Sequence, residues 1–317
     1  MTDRPSSAAH GSRTLVIGEA LIDAVTSAVG VSEEHVGGSP ANVAFGLAAL
    51  DHPVALATWI ATDEEGNRIA EHCRERGVDL TPGSQGAPFT SVAHATLDES
   101  GAATYRFDLE WQLAPVPGLP DFDHLHTGSI AAVLEPGGSA VRHTLRTARP
   151  TATISYDPNA RPSLMGDPEQ ARLLIEECVA LADVVKVSDE DIEWLRPGDL
   201  LADVVTEWSG LGPALIVVTR GGRGATATLA RTGETHTTAV PPVTVVDTVG
   251  AGDSFMAGLV SGLLDAGLAG GPEARDRLHA ARLAEVVPAL ERAVATSRLT
   301  VARAGAHAPT RADLAGG

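Results

Sequence analysis

A chain of 317 residues, 44% of them hydrophobic, is long enough to bury one large core or two unequal ones. With 41 acidic and 23 basic side chains its formal net charge is −18, which argues against nucleic acid or an anionic membrane as the main partner and leaves local positive charge to individual residues. Two cysteines, Cys73 and Cys178, fall in helix-like runs, and no secretory apolar region or span of about 20 apolar residues appears, so a reduced protein of the cytoplasm is expected.

Residues 1–13 are polar and small and read as a loose leader. Residues 14–22 form an apolar run with β-branched members that predicts the first strand of a buried parallel sheet. That strand ends in charge, with Glu19 and Asp23 where the pattern wants apolar residues. Residues 24–36 alternate weakly and lead to Gly37-Gly38. Ser39 is then the expected N-cap, with Pro40 at the first helical position of a helix to about Leu50, so that Asn42 falls in the first turn.

A strand is predicted over 54–60, and Asp63 caps a helix that runs through Arg76 and stops at Gly77. Residues 89–97 and 102–109 flank Asp98-Glu99-Ser100-Gly101 as a hairpin, and a hairpin inserted among strand–helix units suggests a small side sheet. From His124 the alternation resumes with strands over 124–130, 153–156, 184–187 and 215–219, and helices over 135–147, 168–182, 189–195 and 200–209. Such alternation means a parallel sheet covered on both faces. After Gly221-Gly222-Arg223-Gly224 come strands at 225–230 and 235–240, and then helices over 252–266, 272–290 and 292–302.

The most informative stretch is Val246-Asp247-Thr248-Val249-Gly250-Ala251-Gly252-Asp253-Ser254-Phe255. Gly250, Ala251 and Gly252 have almost no side chains, so their N–H groups can approach an anion, and the helix starting there adds its positive end. Asp253 falls in the first turn, where the dipole favours a carboxylate suited to take a proton from an attacking hydroxyl.

This stretch resembles the C-terminal signature of the ribokinase-like (PfkB) carbohydrate kinases. The resemblance implies a doubly wound α/β sheet with a small β lid from about 24–38 and 88–110, in a kinase domain over 14–317. It makes Asp253 the catalytic base and Gly250, Ala251 and Gly252 the anion hole. Gly37-Gly38-Ser39-Pro40-Ala41-Asn42-Val43-Ala44 resembles the family's N-terminal signature, which implies sugar contacts for Asp23, Gly38 and Asn42.

Asp157-Pro158-Asn159-Ala160-Arg161 follows a strand at the edge where open α/β sheets bind ligands. It is similar to the Asp-Pro-Asn-x-Arg of fructokinase-like members, whose Arg lies near the phosphoryl group or the sugar, which implies that place for Arg161. Lys186-Val187-Ser188 looks like their Lys-x-Ser, implying ATP contacts for Lys186 and Ser188 and a water-mediated Mg²⁺ role for Asp191. The residues alone allow instead an acidic first turn with Ser188 as N-cap. Thr219-Arg220-Gly221-Gly222-Arg223-Gly224 matches the family's Thr-x-Gly-x-x-Gly, which places Thr219, Gly221 and Gly224 at ATP; no Gly-Lys-Ser/Thr follows, so it is not a Walker A loop.

Asp247 matches an acidic residue of the family's monovalent-cation (K⁺) site, and is equally an Asx-turn residue that shapes the glycine loop. The implied activity is ATP-dependent phosphorylation of a monosaccharide, with fructose favoured by the fructokinase-like strings. The alternatives are ketodeoxygluconate, for whose carboxylate Arg106 supplies a cation, a ribose or nucleoside acceptor, and a non-catalytic sugar sensor. A homodimer through the lid is expected.

Overall fold

The computed structural model describes residues 12–26, 32–97 and 103–316. Most of the leader and the tip of the hairpin, 98–102, lie outside the described residues. The first strand, β1 (Thr14–Ile17), is shorter than its apolar run suggests. At Gly18 the chain leaves the sheet, and a Cβ there would lie 2.2 Å from Pro40 Cγ. The remaining apolar residues open a second strand, β2 (Leu21–Thr26), in a different sheet. Asp23 is therefore a mid-strand residue of the small sheet and not the end of the first strand.

β3 (Ser32–Gly37) pairs antiparallel with β2 and leads into α1 (Ser39–Ala49). The N-cap of α1 is Gly38 and not Ser39. Gly38 takes φ +104, and a Cβ would meet the Glu19 carbonyl oxygen at 2.4 Å, so only glycine fits this corner. β4 (Val54–Ala57) and α2 (Glu64–Glu75) follow, with the Asp63 carboxylate accepting from Gly66 N–H as cap. β5 (Val78–Leu80) is an edge strand too short to show in the sequence pattern. β6 (Val92–Leu97) and β7 (Ala103–Asp108) complete the small sheet in the order β3-β2-β6-β7.

The large sheet continues with β8 (His124–Gly128), α3 (Gly137–Ala148), β9 (Thr153–Asp157), a short α4 (Pro162–Met165), α5 (Pro168–Leu181), β10 (Val184–Ser188), α6 (Asp189–Leu195), α7 (Leu201–Ser209) and β11 (Leu215–Thr219). β12 (Ala225–Leu229) and β13 (Thr235–Thr238) add an antiparallel edge. The order is β13-β12-β11-β10-β9-β8-β1-β4-β5, parallel from β11 to β5. One apolar core lies under α1 and the C-terminal helices α8 (Ala251–Asp265), α9 (Pro272–Ala280) and α10 (Leu283–Val301); the other lies under α3 and α5 to α7. A terminal α11 (Arg311–Ala315) closes the chain.

α10 is one helix where a break near residue 291 was expected. Its buried positions Val286, Ala289, Leu290, Ala293, Val294 and Thr296 keep helical spacing straight through that point. It meets α8 at very close range: a Cβ on Gly258 would lie 2.3 Å from Thr296 Oγ1, and one on Gly262 2.5 Å from Ala289 Cα. Thr296 Oγ1 donates to Ser254 O at 2.9 Å and Thr300 Oγ1 to Ser254 Oγ at 2.7 Å, which pins the first turn of α8.

Candidate active site

Two helix N-termini converge at the carboxyl edge of the large sheet. Gly250 caps α8 in the left-handed conformation, φ +72, so Ala251, Gly252 and Asp253 form the first turn; their amide groups have no partner earlier in the helix, although Ala251 N–H donates back to Thr248 O at 3.2 Å. The Asp253 side chain is buried, and its oxygens accept from Ser39 Oγ and Asn42 Nδ2, both at 2.8 Å and both from the first turn of α1. Asn159 Nδ2 donates to Ser39 Oγ at 2.7 Å and lies 3.4 Å from Asp253 Oδ1. Burial pushes the Asp253 carboxyl up, while the Asn42 and Ser39 hydrogen bonds and the charges of Lys186 and Arg161 pull it back.

Beside this carboxylate, β9 and β10 place a buried ion pair, with Lys186 Nζ 2.9 Å from Asp157 Oδ2. A Cβ on Gly252 would lie 3.1 Å from the same Nζ, so the glycine turn and the ammonium share one corner. Burial lowers the Lys186 pKa but the carboxylates of Asp157, Asp191 and Asp253 outweigh it, leaving Lys186 above its usual range. Asp157 is pushed up to about 6 by burial, against the pull of Lys186.

A buried carboxylate next to a bare helix start, an ammonium and carboxamide donors is the equipment for moving a proton from a hydroxyl beside a bound anion. The described sequence matches the model of the pfkB family of carbohydrate kinases over residues 12–313. The chain belongs to that family.

Carbohydrate kinases similar to it include a fructokinase of Rhizobium leguminosarum bv. trifolii, 34% identical over 78% of this chain and 79% of that protein. Another is a fructokinase of Klebsiella pneumoniae, 32% identical over 80% and 85%. Among solved structures, a fructokinase from Vibrio cholerae O395 in a fructose-, ADP- and calcium-bound form superposes with a TM-score of 0.79 at 26% identity, covering 96% of this chain and 98% of that one. A fructokinase with bound ATP from Xylella fastidiosa gives 0.83 at 22% identity, covering 96% and 97%.

In this kinase Asp23 lies on β2 across from His35, and a Cβ on Gly37 would lie 1.9 Å from Asp23 Oδ2, so glycine at 37 makes room for the carboxylate. Burial pushes Asp23 up to about 6, with His35 and Arg161 opposing and Asp253 adding to the rise. Arg161 donates to Asn159 Oδ1 at 2.8 Å and, among the described residues, pairs with no carboxylate. Its positive charge nevertheless acts on Glu19, Asp23 and Asp253, and so spans the cluster.

Arg106 is not with them. Register sets Asp23 beside Ala93 and Ala93 beside Phe107, whereas Arg106 stands beside His94 and Ala24. Paired residues share a face and neighbours along a strand do not, so Arg106 leaves the sheet on the side opposite Asp23. It pairs instead with Asp108 at 2.9 Å.

Asp191 is taken up locally: Oδ1 accepts from Ala160 N–H at 2.8 Å and Oδ2 from Ser188 N–H at 3.0 Å, while Ser188 Oγ accepts from Asp191 N–H. That is a capping box on α6, and it orients the loop that carries Asn159 and Arg161. Thr219 ends β11 with Oγ1 3.5 Å from Val187 O, and Gly221 turns the chain at φ +50 with open space above it. Gly224 has a packing reason as well, since a Cβ would meet Thr238 O at 2.2 Å. Asp247 accepts from Val249 N–H at 3.0 Å and Gly305 N–H at 2.8 Å, an Asx turn that ties the glycine loop to the C-terminal segment.

The structure adds to the cluster four residues to which the sequence assigns no site role: Glu19, Ser39, Asp157 and Asn159. Ser39 reads as a cap because serine before proline usually is one. Glu19 did leave a signal, as a charge inside an apolar run.

Proposed function

We propose that the protein transfers the γ-phosphoryl group of ATP to a hydroxyl of fructose. The observation that carries this reading is the Asp253 carboxylate, held by Asn42 and Ser39 where the starts of α1 and α8 meet. In the proposed reaction Asp253 accepts the hydroxyl proton as the sugar oxygen attacks phosphorus, and the amides of Gly250, Ala251 and Gly252 hold the charge on the transferring group. Asp23, Gly38, Asn42 and Arg161 are assigned to the sugar, and Lys186, Ser188, Thr219, Gly221 and Gly224 to the nucleotide. The four-stranded sheet is read as a cover that excludes water from the opening.

Magnesium would arrive as the Mg-ATP substrate. Asp157 Oδ1 is buried with no partner among the described residues, which leaves Asp157 an atom to spare beside the Lys186 ammonium, whereas both Asp191 oxygens accept backbone bonds. For Asp247 the turn-shaping role is proposed, with any monovalent ion held near its loop. No described helix is long and apolar enough to cross a membrane. Cys73 and Cys178 are buried and unpaired, in keeping with the reducing cytoplasm proposed for the protein.

Fructose is favoured over ketodeoxygluconate because relatives at 34% and 32% identity bear the name fructokinase and because Arg106, the cation considered for a carboxylate, faces away. ADP release with Mg-ATP is to be measured against fructose, ribose, ketodeoxygluconate and nucleosides, with the highest kcat/KM expected for fructose. Turnover confined to another acceptor overturns the substrate, and tight sugar binding without turnover favours a sensor.

A further inference from the structure

The carboxyl edge holds a further acid that the proposed reaction leaves unused. Glu19 follows Gly18 just beyond β1 and is 93% buried by the complement of its 7% exposure. The Ser129 hydroxyl hydrogen-bonds its carboxyl group, but Oε2 is buried with no partner among the described residues. A buried acid with one oxygen unmatched is costly to the fold and calls for a reason.

Its surroundings supply one. The Glu19 backbone lies directly beneath Gly38, the residue that starts α1 and so sets the positions of Ser39 and Asn42. The electrostatic field at Glu19 comes from Arg161 and Asp253. Ser129, which with the Glu19 amide hydrogen-bonds this carboxyl group, holds φ +53, and Asn159 beside Asp253 holds φ +36; both are strained for non-glycine residues, and such strain clusters where ligands are gripped. Burial, followed by the nearby Asp253 charge, pushes the Glu19 carboxyl up to about 7, so an incoming polar group can relieve a real deficit.

We infer that Glu19 is a specificity-determining residue whose Oε2 hydrogen-bonds a hydroxyl of the sugar other than the one that is phosphorylated. This rests on the sugar-kinase reading above. With Asp23, Asn42 and Arg161, Glu19 gives the opening four polar side chains that distinguish one pattern of hydroxyls from another. A site built to hydrogen-bond a hydroxyl rejects the analogue lacking it, because its own buried group is then left unpaired.

The test compares wild type with Glu19→Met and Glu19→Gln on fructose and on a series of monodeoxy- and monofluoro-fructoses, with ATP saturating. Glu19→Met is expected to raise KM for fructose by ~10-fold or more, with KM for ATP changed less than about twofold. For one analogue in the series, wild type loses the same factor and Glu19→Met adds no further loss, the mark of a direct contact. The unliganded Glu19→Met protein should melt no lower than wild type at pH 8, which a purely structural glutamate would not allow. An unchanged KM for fructose, or an equal further loss on every analogue, overturns the assignment. Should Glu19→Met fail to fold, the same coupling is read from Glu19→Gln. If wild type does not phosphorylate fructose at all, the functional reading fails; if it does and the coupling is absent, only the role of Glu19 fails.

Discussion

The carboxamide of Asn42 donates to the carboxylate of Asp253 at 2.8 Å although 211 residues separate them in the chain. One end of the sequence therefore sets the orientation and the proton affinity of the acid supplied by the other. The predictions below start from that bond.

Asp253→Asn keeps the volume and removes the proton acceptor. We expect kcat to fall by ~10²–10⁴-fold while fructose and ATP still bind, measured by ADP release and by calorimetric titration. Undiminished turnover would dismiss Asp253 as the base.

Ser39→Ala and Asn42→Ala each take one donor from the Asp253 carboxylate. Those donors favour its charged form, so their loss raises its pKa, and the acidic limb of the kcat/KM profile moves to higher pH. Asn42→Ala should also weaken sugar binding with little effect on ATP. A profile from pH 5 to 9 identical to wild type, or a defect confined to ATP, speaks against this arrangement.

Lys186→Met strands Asp157 in a buried site without its cation. A loss of about 3–5 kcal/mol in unfolding free energy is expected at pH 8, well above the Asp157 pKa of about 6, and a smaller loss at pH 5, where the carboxyl is protonated. Lys186→Met combined with Asp157→Leu should recover much of it. Urea unfolding of wild type and the two variants decides, and a double variant no better than Lys186→Met contradicts the coupling.

His124 and His126 are buried along the sheet, where Ser155 Oγ lies 2.9 Å from His124 Nε2 and 3.0 Å from His126 Nδ1, and burial drops both to about 3. Each stays neutral in the fold while the unfolded chain protonates near pH 6.5. Their contribution to stability is thus present above that pH and lost progressively as pH falls towards 3. At pH 5 the slope of unfolding free energy against pH should be steeper in wild type than in a His124→Gln, His126→Gln variant by roughly 1.4 kcal/mol per unit for each histidine. Equal slopes in urea titrations would refute this.

Much of this was readable in advance because strands bounded by glycine and helices bounded by caps follow periodic rules, and the turn before Asp253 has few other uses. What escaped had definite physical causes. The run through Ile22 looks continuous because two sheets want the same apolar residues, and only the approach of Pro40 to Gly18 divides it. Arg106 is chemically apt but falls on the wrong parity of its strand, which depends on pairings with β2 that a linear pattern does not reveal. Asp191 has the charge for a metal, yet its oxygens are spent on the backbone of its own turn and of a loop 31 residues away. Glu19 was visible as an anomaly, but its neighbours Ser129 and Asp253 come from distant parts of the chain.

The seam of Gly258 and Gly262 against α10 leaves no room for even one methyl group. Because the same helix begins with Gly250 and Asp253, a change at either glycine would tilt or shift the groups proposed to react, about one and a half to three turns away. Natural drift at these two positions is thus answerable to turnover as well as to folding, and a random library screened for growth on the sugar should come back with both columns blank except for glycine.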